Sequence, residues 1–237
     1  MLDMLPRLAI PSYQRSEYIS GPNGTLTFLK KSGYPNHLIH IFVASEEEAN
    51  LYKYLTEYKI IIGTVGLAKQ RNFITDYFDD GETILSMDDD IKGVKIINGS
   101  FIDLITKGVQ SNAPLWGILP NDDGRKMIAD VTTTHLTHIL GSLFLYKVNK
   151  NIRITINEKE DFERSILYFK QYGSVSRYKG AGTMTAYAQT AGGLQQEGRG
   201  LRMLEEIKYL HELYPEYIRK VQKKKGLDIV LNWRLRL

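Results

Sequence analysis

Cysteine is absent from this sequence of 237 residues. Its absence excludes disulfide bonds, thiolate chemistry and cysteine-bound zinc. Long apolar runs are also lacking, since none approaches the ~18 residues that a membrane-spanning helix needs. The segment 1–10 is too short and too mixed in character for a signal peptide. We therefore expect a soluble protein of the cytoplasm that has no membrane partner.

A large excess of one charge is also missing, because 31 basic residues stand against 27 acidic ones. This balance, with a hydrophobic content of 43%, favours one domain with a substantial core over global disorder. The segment 199–237, however, holds 10 basic and 5 acidic residues. Such a segment, which we expect to be a helical extension, suits a polyanion, although a solvated helix face explains it equally well. The candidate nucleic-acid contacts are Arg199, Lys223, Lys224, Lys225 and Arg234.

Short apolar segments alternate with helical ones through residues 7–91. Nearly continuous apolar character is typical of strands covered on both faces, and the alternation predicts βαβ units. The sequence therefore predicts an α/β fold with a mostly parallel central sheet flanked by helices. In such sheets, ligands bind at the carboxyl ends of the strands. The predicted strands are 7–12, 38–44, 59–63 and 83–87.

Three adjacent aspartates, Asp88, Asp89 and Asp90, follow the fourth predicted strand. Aspartate is common in turns, so a polar loop is one explanation. Like charges ~4 Å apart nevertheless repel by about 4 kcal/mol at the effective dielectric of a protein surface, and a divalent cation would reverse that sign. In an extended chain Asp88 and Asp90 share one side while Asp89 points away. Their oxygens suit Mg²⁺ or Mn²⁺, completed by oxygens of a substrate diphosphate.

The second half of the chain offers weaker signals. Asn157 with Glu160 matches a helix capping box before an apolar helix, although Glu160 and Asp161 also form a candidate functional acidic site. The segment 180–200 contains six glycines and is interpreted as a loop or lid. His135 and His138 lie three residues apart and are interpreted as structural or exposed, with a place in a metal shell as the alternative.

Four short motifs occur in a fixed order within residues 7–91, and that order resembles the GT-A glycosyltransferases. The resemblance implies one GT-A domain over 1–237, a Rossmann-like nucleotide-diphospho-sugar transferase fold. Its nucleotide-sugar-binding half would be 1–91, its acceptor and catalytic half 92–198, and the basic extension 199–237. The motifs are Pro11-Ser12-Tyr13-Gln14-Arg15, Val43-Ala44-Ser45-Glu46, Gly66-Leu67-Ala68-Lys69-Gln70-Arg71-Asn72 and Asp88-Asp89-Asp90.

The same resemblance implies roles for individual residues. Asp88 would lie near the ribose, and Asp88 and Asp90 would hold the metal that bridges the diphosphate. Glu160 and Asp161 look like the Glu-Asp pair of family 2 inverting enzymes, in which the Asp deprotonates the acceptor hydroxyl. A base must come within ~3 Å of the proton that it takes. The remaining donor-binding candidates are Pro11, Ser12, Tyr13, Arg15, Glu46, Gln70, Arg71, Asp89, Gly192 and Gly193.

The glycine-rich motif at 190–199, together with the size of the chain and the segment 66–72, resembles the TET/JBP-associated glycosyltransferases. That group includes relatives of the base J glucosyltransferase and many bacteriophage enzymes. The resemblance implies transfer from a nucleotide sugar, such as a uridine diphosphate sugar, to 5-hydroxymethylpyrimidine in DNA. It also implies the host cytoplasm as the location if the chain is viral.

Other functional classes remain open at this point. A nucleotidyltransferase can share the scaffold and the paired acids, and a catalytically silent nucleic-acid-binding module can keep the scaffold alone. RNA or a negatively charged glycan would suit the basic segment as well as DNA does. The sugar, the nucleotide, the stereochemical outcome, a third metal ligand and the oligomeric state are left open.

Overall fold

A computed structural model describes residues 5–185, 198–223 and 226–235. The strands are β1 (Arg7–Pro11), β2 (Ile39–Val43), β3 (Lys59–Ile62), β4 (Thr83–Met87), β5 (Ile91–Ile96), β6 (Leu115–Leu119), β7 (Thr132–Thr133), β8 (Leu143–Lys147), β9 (Ser176–Thr185), β10 (Ile218–Lys223) and β11 (Gly226–Leu231). The helices are α1 (Ser16–Ile19), α2 (Thr25–Lys31), α3 (Glu46–Leu51), α4 (Leu67–Tyr77), α5 (Phe101–Gln110), α6 (Glu160–Tyr172) and α7 (Arg199–Leu213), with a 3₁₀ turn at Asn36–Leu38.

The centre of the molecule is a nine-stranded sheet with the order β3-β2-β1-β4-β8-β6-β9-β5, and β7 pairs with β9. Six strands run in one direction, namely β1 to β4, β6 and β9, while β5, β7 and β8 oppose them. The predicted α/β fold with a mostly parallel sheet is therefore confirmed.

Two hydrophobic cores cover the two faces of the sheet. Successive residues of a strand point to opposite faces, and Leu8 and Ile10 of β1 accordingly enter one core while Ala9 enters the other. Helices α2 and α5 pack on the first face, and α4, α6 and α7 pack on the second. Burial on both faces explains why the strands of the first half are nearly continuous apolar runs.

The capping box predicted for α6 does not form. The helix begins at Glu160, and Lys159 precedes it without a side-chain cap. Asn157 instead accepts a hydrogen bond from the backbone N–H of Ala68, with 3.0 Å between nitrogen and oxygen. This contact joins the start of α4 to the segment before α6. The Asn157 side chain therefore makes a tertiary hydrogen bond and does not cap α6.

The basic C-terminal segment is not helical throughout. Helix α7 ends at Leu213, and β10 and β11 then form an antiparallel hairpin. The reason is a two-residue periodicity, because Ile229 and Leu231 are buried while Val230 between them is more exposed. Gly226, with φ of 119°, begins the second strand in a conformation that favours glycine.

The glycine-rich segment also departs from its prediction, because 180–185 belongs to β9. A Cβ atom on Gly182 would lie 2.1 Å from the carbonyl oxygen of Asn121. Glycine is needed here for the close approach of two backbones, so it does not signal a loop. In the described residues, no helix is long and apolar enough to cross a membrane.

The carboxyl edge of the sheet gathers the segments that matter for function. Strands β1 and β4 end side by side at this edge, and β8 begins there, with Met87 opposite Leu143. The backbone N–H of Asp88 donates to the carbonyl oxygen of Ser142 at 2.9 Å. The aspartate triplet is thereby fixed against the loop that enters β8.

Candidate functional site

Asp89 is the innermost carboxylate of the triplet, and its side chain is directed into the protein. It accepts hydrogen bonds from Ser12 Oγ at 2.7 Å and from Arg15 Nη1 at 2.6 Å. The same nitrogen of Arg15 lies 3.2 Å from Asp90 Oδ2. Ser12 Oγ also lies 2.7 Å from the hydroxyl of Tyr52, a contact that the sequence did not suggest. Asp89 therefore fixes the loop after β1 to the tip of β4.

Asp88 is held from the other side by the buried side chain of Arg71. Arg71 Nη2 donates to Asp88 Oδ1 at 2.9 Å and to the carbonyl oxygen of Gly141 at 3.1 Å. Its Nη1 donates to Ser86 Oγ at 2.7 Å. The Asp88 side chain is 36% exposed, whereas that of Arg71 is 6% exposed. Arg71 is thus a buried support for Asp88, and the acid itself is open to solvent.

The triplet carries unfavourable electrostatic energy. Partial burial raises the pKa of Asp88 to about 6, and Asp90 and Glu160 add to the rise while Arg71 opposes it. Burial also raises the pKa of Asp90, with Asp89 adding repulsion and Arg15 opposing it. A cation placed against Asp88 and Asp90 would relieve this repulsion.

The donor set fits a divalent cation only in part. Arg71 donates to Oδ1 of Asp88 and Arg15 donates to Oδ2 of Asp90, so an arginine holds one oxygen of each acid. No cluster of three or more His, Asp or Glu side chains forms a metal site in the described part of the chain. Mg²⁺ and Mn²⁺ prefer more oxygens than two carboxylates supply. The site therefore suits a cation that brings a diphosphate or water with it.

The loop after β1 contains several donor-binding candidates, and Glu48 holds it in place. Pro11 ends the strand, and Tyr13 is half-buried beside the exposed Gln14. Gln14 has φ of 57°, a left-handed conformation, and its backbone N–H donates to Glu48 Oε1. Glu48 Oε2 also accepts from the backbone N–H of Ala44 at 2.9 Å.

Glu48 was missed by the sequence reasoning, which chose Glu46. The structure leaves Glu46 exposed and buries Glu48. A signal was present, because Ser45 precedes Glu48 by three residues, the spacing of a capping pair. The Ser45 hydroxyl does accept from the backbone N–H of Glu48 at 3.2 Å.

Gln70, another donor-binding candidate, faces the interior. It is buried, its Oε1 accepts from the backbone N–H of Thr64 at 2.8 Å, and its Nε2 donates to the carbonyl oxygen of Val43 at 3.4 Å. Gln70 therefore joins the ends of β2 and β3. This contact shapes the edge of the sheet from within.

Glu160 belongs to a buried ion network. Its Oε2 accepts from Arg164 Nη1 at 2.5 Å, and its Oε1 lies 3.6 Å from Arg71 Nε. The residue is 4% exposed. Because Arg71 also binds Asp88, this network connects the start of α6 with the tip of β4. These contacts make Glu160 a buried counterion of Arg71 and Arg164.

Asp161 forms a close pair with His138. The distance between Asp161 Oδ2 and His138 Nε2 is 2.7 Å, and the His138 ring stacks on Phe162 with 4.1 Å between ring centroids. Burial alone would raise the pKa of Asp161, but the charge and hydrogen bond of His138, with help from Arg164 and Lys159, lower it to about 2. From the sequence, His138 was interpreted as structural or exposed, with a place in a metal shell as the alternative, and its pairing with Asp161 was not predicted.

A pocket of about 300 Å³ lies next to this pair, between the hairpin and the segment before β8. Aromatic rings of His138, Phe162 and Trp233 contribute to its walls, and Arg177 contributes a cation. Trp233 also lies 6.0 Å from the ring of His135. The pocket is therefore partly aromatic and partly cationic.

The remaining candidates divide into three groups. Gly192, Gly193, Lys224 and Lys225 lie outside the described residues, as does the side chain of Lys223. Arg199 Nε donates to Glu158, whose side chain is fully buried, at 2.9 Å, so this arginine serves an internal ion pair. Arg234 is exposed and lies over the ring of Trp233, 5.1 Å from its centroid.

Comparison of the sequence with protein-family models and with curated proteins gives no match. Among solved structures, the fold is similar to that of S. aureus TarS 1–349, with a TM-score of 0.50 and 14% identity over 74% of this chain and 58% of that chain. This chain thus spans less than two thirds of the TarS structure. The TarS structure has a GT-A fold.

Two weaker similarities are to nucleotidyltransferase structures. The bifunctional IspDF from Campylobacter jejuni gives a TM-score of 0.41 and 14% identity over 74% of this chain and 50% of that chain. The 4-diphosphocytidyl-2C-methyl-D-erythritol synthase from Anaerococcus prevotii gives a TM-score of 0.43 and 11% identity over 86% of this chain and 97% of that chain. The similarity to TarS supports a nucleotide-diphospho-sugar transferase-like fold, as predicted. The relationship to the TET/JBP-associated group stays a prediction.

Proposed function

We propose that this chain is a metal-dependent glycosyltransferase that moves a sugar from a nucleotide-diphosphate sugar to a hydroxyl group. One observation carries the proposal: Asp88 and Asp90 stand two residues apart at the carboxyl edge of a GT-A-like sheet, and the Asp88 carboxylate, held by Arg71, is 36% exposed. A Mg²⁺ or Mn²⁺ ion held there would offset the charge that develops on the departing diphosphate. A uridine diphosphate sugar is the expected donor.

The chain's own residues would hold the donor in three ways. The loop of Ser12, Tyr13 and Arg15 would border the nucleotide, since Asp89 and Glu48 fix its conformation. Arg71 would orient Asp88 toward the ribose and cation from a buried position. Such preorganised groups stabilise a transition state without further reorganisation.

We propose DNA containing 5-hydroxymethylpyrimidine as the acceptor. The pocket beside His138 supports this proposal, because its rings offer stacking surfaces for a flat base. Arg177 Nε has no hydrogen-bond partner among the described residues, and burial lowers the pKa of Arg177. A phosphate near Arg177 would compensate this cation. The acceptor hydroxyl would lose its proton at the Asp161–His138 pair.

The donor half of the proposal is tested by calorimetric titration with UDP-glucose, with and without Mn²⁺. We expect metal-dependent binding to wild-type protein and its loss in Asp90→Asn. Asp79→Asn is the matched control, because the Asp79 side chain is 95% exposed near the opposite end of β4. Equal binding by Asp90→Asn and wild type would remove Asp90 from the site.

The reaction itself is tested by mass spectrometry of DNA containing hydroxymethylated pyrimidines after incubation with a panel of nucleotide sugars. A sugar-sized mass increase with release of nucleoside diphosphate supports glycosyl transfer. Release of pyrophosphate or formation of a new sugar nucleotide would instead identify a nucleotidyltransferase. DNA binding that depends on salt but not on donor or metal would point to the silent binding module.

A further inference from the structure

Asp161 is poorly placed to take a proton from the acceptor by itself. Both of its carboxylate oxygens are already in use, because Oδ1 accepts from the backbone N–H of Phe162 at 2.9 Å and Oδ2 contacts His138 Nε2 at 2.7 Å. The side chain is 16% exposed, whereas that of His138 is 25% exposed. His138 contributes to the walls of the adjacent pocket, whose lining residues do not include Asp161.

The contact between the two side chains fixes the imidazole tautomer. An ionised carboxylate only accepts hydrogen bonds, so His138 Nε2 must carry the hydrogen. The lone pair of the neutral imidazole therefore lies on Nδ1. Among the described residues, Nδ1 has no hydrogen-bond partner. Nδ1 is thus the atom of His138 that can accept a proton.

The surrounding structure holds this pair rigidly. Ser165 Oγ accepts from the backbone N–H of Ile139 at 3.0 Å and donates to the carbonyl oxygen of Asp161 at 2.7 Å. Arg177 Nη1 donates to the carbonyl oxygen of His138 at 3.3 Å. Stacking on Phe162, at an angle of 21° between the rings, fixes the plane of the imidazole. A base oriented by a third group is the arrangement that general-base catalysis requires.

We infer that His138, oriented by Asp161, is the catalytic base that receives the acceptor proton at Nδ1. This inference rests on the proposed glycosyl transfer. In that step the acceptor O–H proton moves to Nδ1 while the acceptor oxygen forms a bond to the anomeric carbon. The bond from that carbon to the diphosphate oxygen breaks, and its electron pair leaves with the nucleoside diphosphate. Asp161 is then a positioning residue whose charge stabilises the imidazolium.

The charged groups around the pair set the expected pH dependence. Asp161 faces His138 directly and carries a negative charge. The other charged and titratable groups on the elements packed around the pair are Lys159 before α6, Arg164 on α6, Arg177 on β9, His135 on the segment that contains His138, and Asp228 on β11. Asp228 Oδ1 lies 2.8 Å from Lys159 Nζ.

The test compares transfer rates of the full chain across pH for wild type, His138→Gln and Asp161→Asn. For His138→Gln we expect kcat to fall about 10²- to 10⁴-fold with an unchanged KM for the donor. The acidic decline of kcat should be present in wild type and absent from the residual activity of His138→Gln, and Asp161→Asn should lower kcat because the fixed imidazole tautomer is lost. His37→Gln is the matched control, since His37 lies before β2, and it should behave as wild type.

Chemical rescue separates the two possible bases. Added imidazole should restore activity to His138→Ala, whereas formate should not restore activity to Asp161→Ala. The opposite pattern, in which His138→Gln retains its rate and formate rescues Asp161→Ala, would overturn His138 as the catalytic base but leave the proposed function standing. A wild-type chain that transfers no sugar to any acceptor would instead overturn the proposed function, so the two failures are distinguishable.

Discussion

Neutralising Glu160 tests the buried network that joins α6 to the tip of β4. In Glu160→Gln, Arg71 and Arg164 lose the carboxylate that lies between them. Removing one partner of a buried ion pair costs about 3–5 kcal/mol, because the other charge stays buried. Glutamine still accepts one hydrogen bond from Arg164, which retains about 1 kcal/mol. We therefore expect a loss of about 2–4 kcal/mol in the free energy of unfolding.

The assay is urea unfolding followed by circular dichroism, with linear extrapolation to water. For a slope of about 3 kcal/mol/M, the expected loss lowers the midpoint by about 1 M. Glu205→Gln is the control, since Glu205 is exposed on α7, and it should change the free energy by less than about 0.5 kcal/mol. A midpoint for Glu160→Gln equal to that of the control would refute the view that Glu160 is a structural counterion.

Three further predictions concern the loop after β1, the Asp161–His138 pair and Gly182. Glu48→Gln should weaken donor binding about tenfold in calorimetric titration, because Gln14 loses a charged acceptor; unchanged affinity would exclude Glu48 as a support of this loop. Because the pKa of Asp161 is lowered from 3.8 to about 2, Asp161 contributes about 2 kcal/mol to the free energy of unfolding at neutral pH, and this contribution is lost as the pH falls through that range. The difference in the free energy of unfolding between wild type and Asp161→Asn should therefore become smaller in acid. A difference that does not change with pH would contradict this. Gly182→Ala should lower the melting temperature by several degrees, because the new methyl group meets the Asn121 carbonyl; an unchanged melting temperature would mean that this contact relaxes freely.

The first half of the fold was predictable because its signals are local. Strands β1 to β4 are apolar runs separated by amphipathic segments, and the structure places them within one or two residues of the prediction. Strands β5 and β9 were missed, since each contains glycine and lysine. The hairpin after α7 was not predicted, because its clustered lysines are also typical of a solvated helix face and the two-residue periodicity of Ile229 and Leu231 is short.

The candidate site was predictable in position but not in connectivity. The aspartate triplet at a strand end identified the carboxyl edge of the sheet from sequence alone. Which arginine serves which acid depends on tertiary contacts, as when Arg15 meets Asp89 across 74 positions of sequence. His138 and Asp161 are 23 positions apart in the sequence, one before β8 and the other on α6, so no local sequence pattern predicts their contact.

The central claim is that the tip of β4 binds a divalent cation together with the diphosphate of a sugar donor. The most direct measurement is a crystal structure with Mn²⁺ and a nucleotide sugar, using anomalous scattering to locate the metal. We predict one manganese peak within about 2.0–2.4 Å of carboxylate oxygens from Asp88 and Asp90 and of diphosphate oxygens. A donor bound with its diphosphate elsewhere, or a manganese peak away from these two acids, would contradict the account.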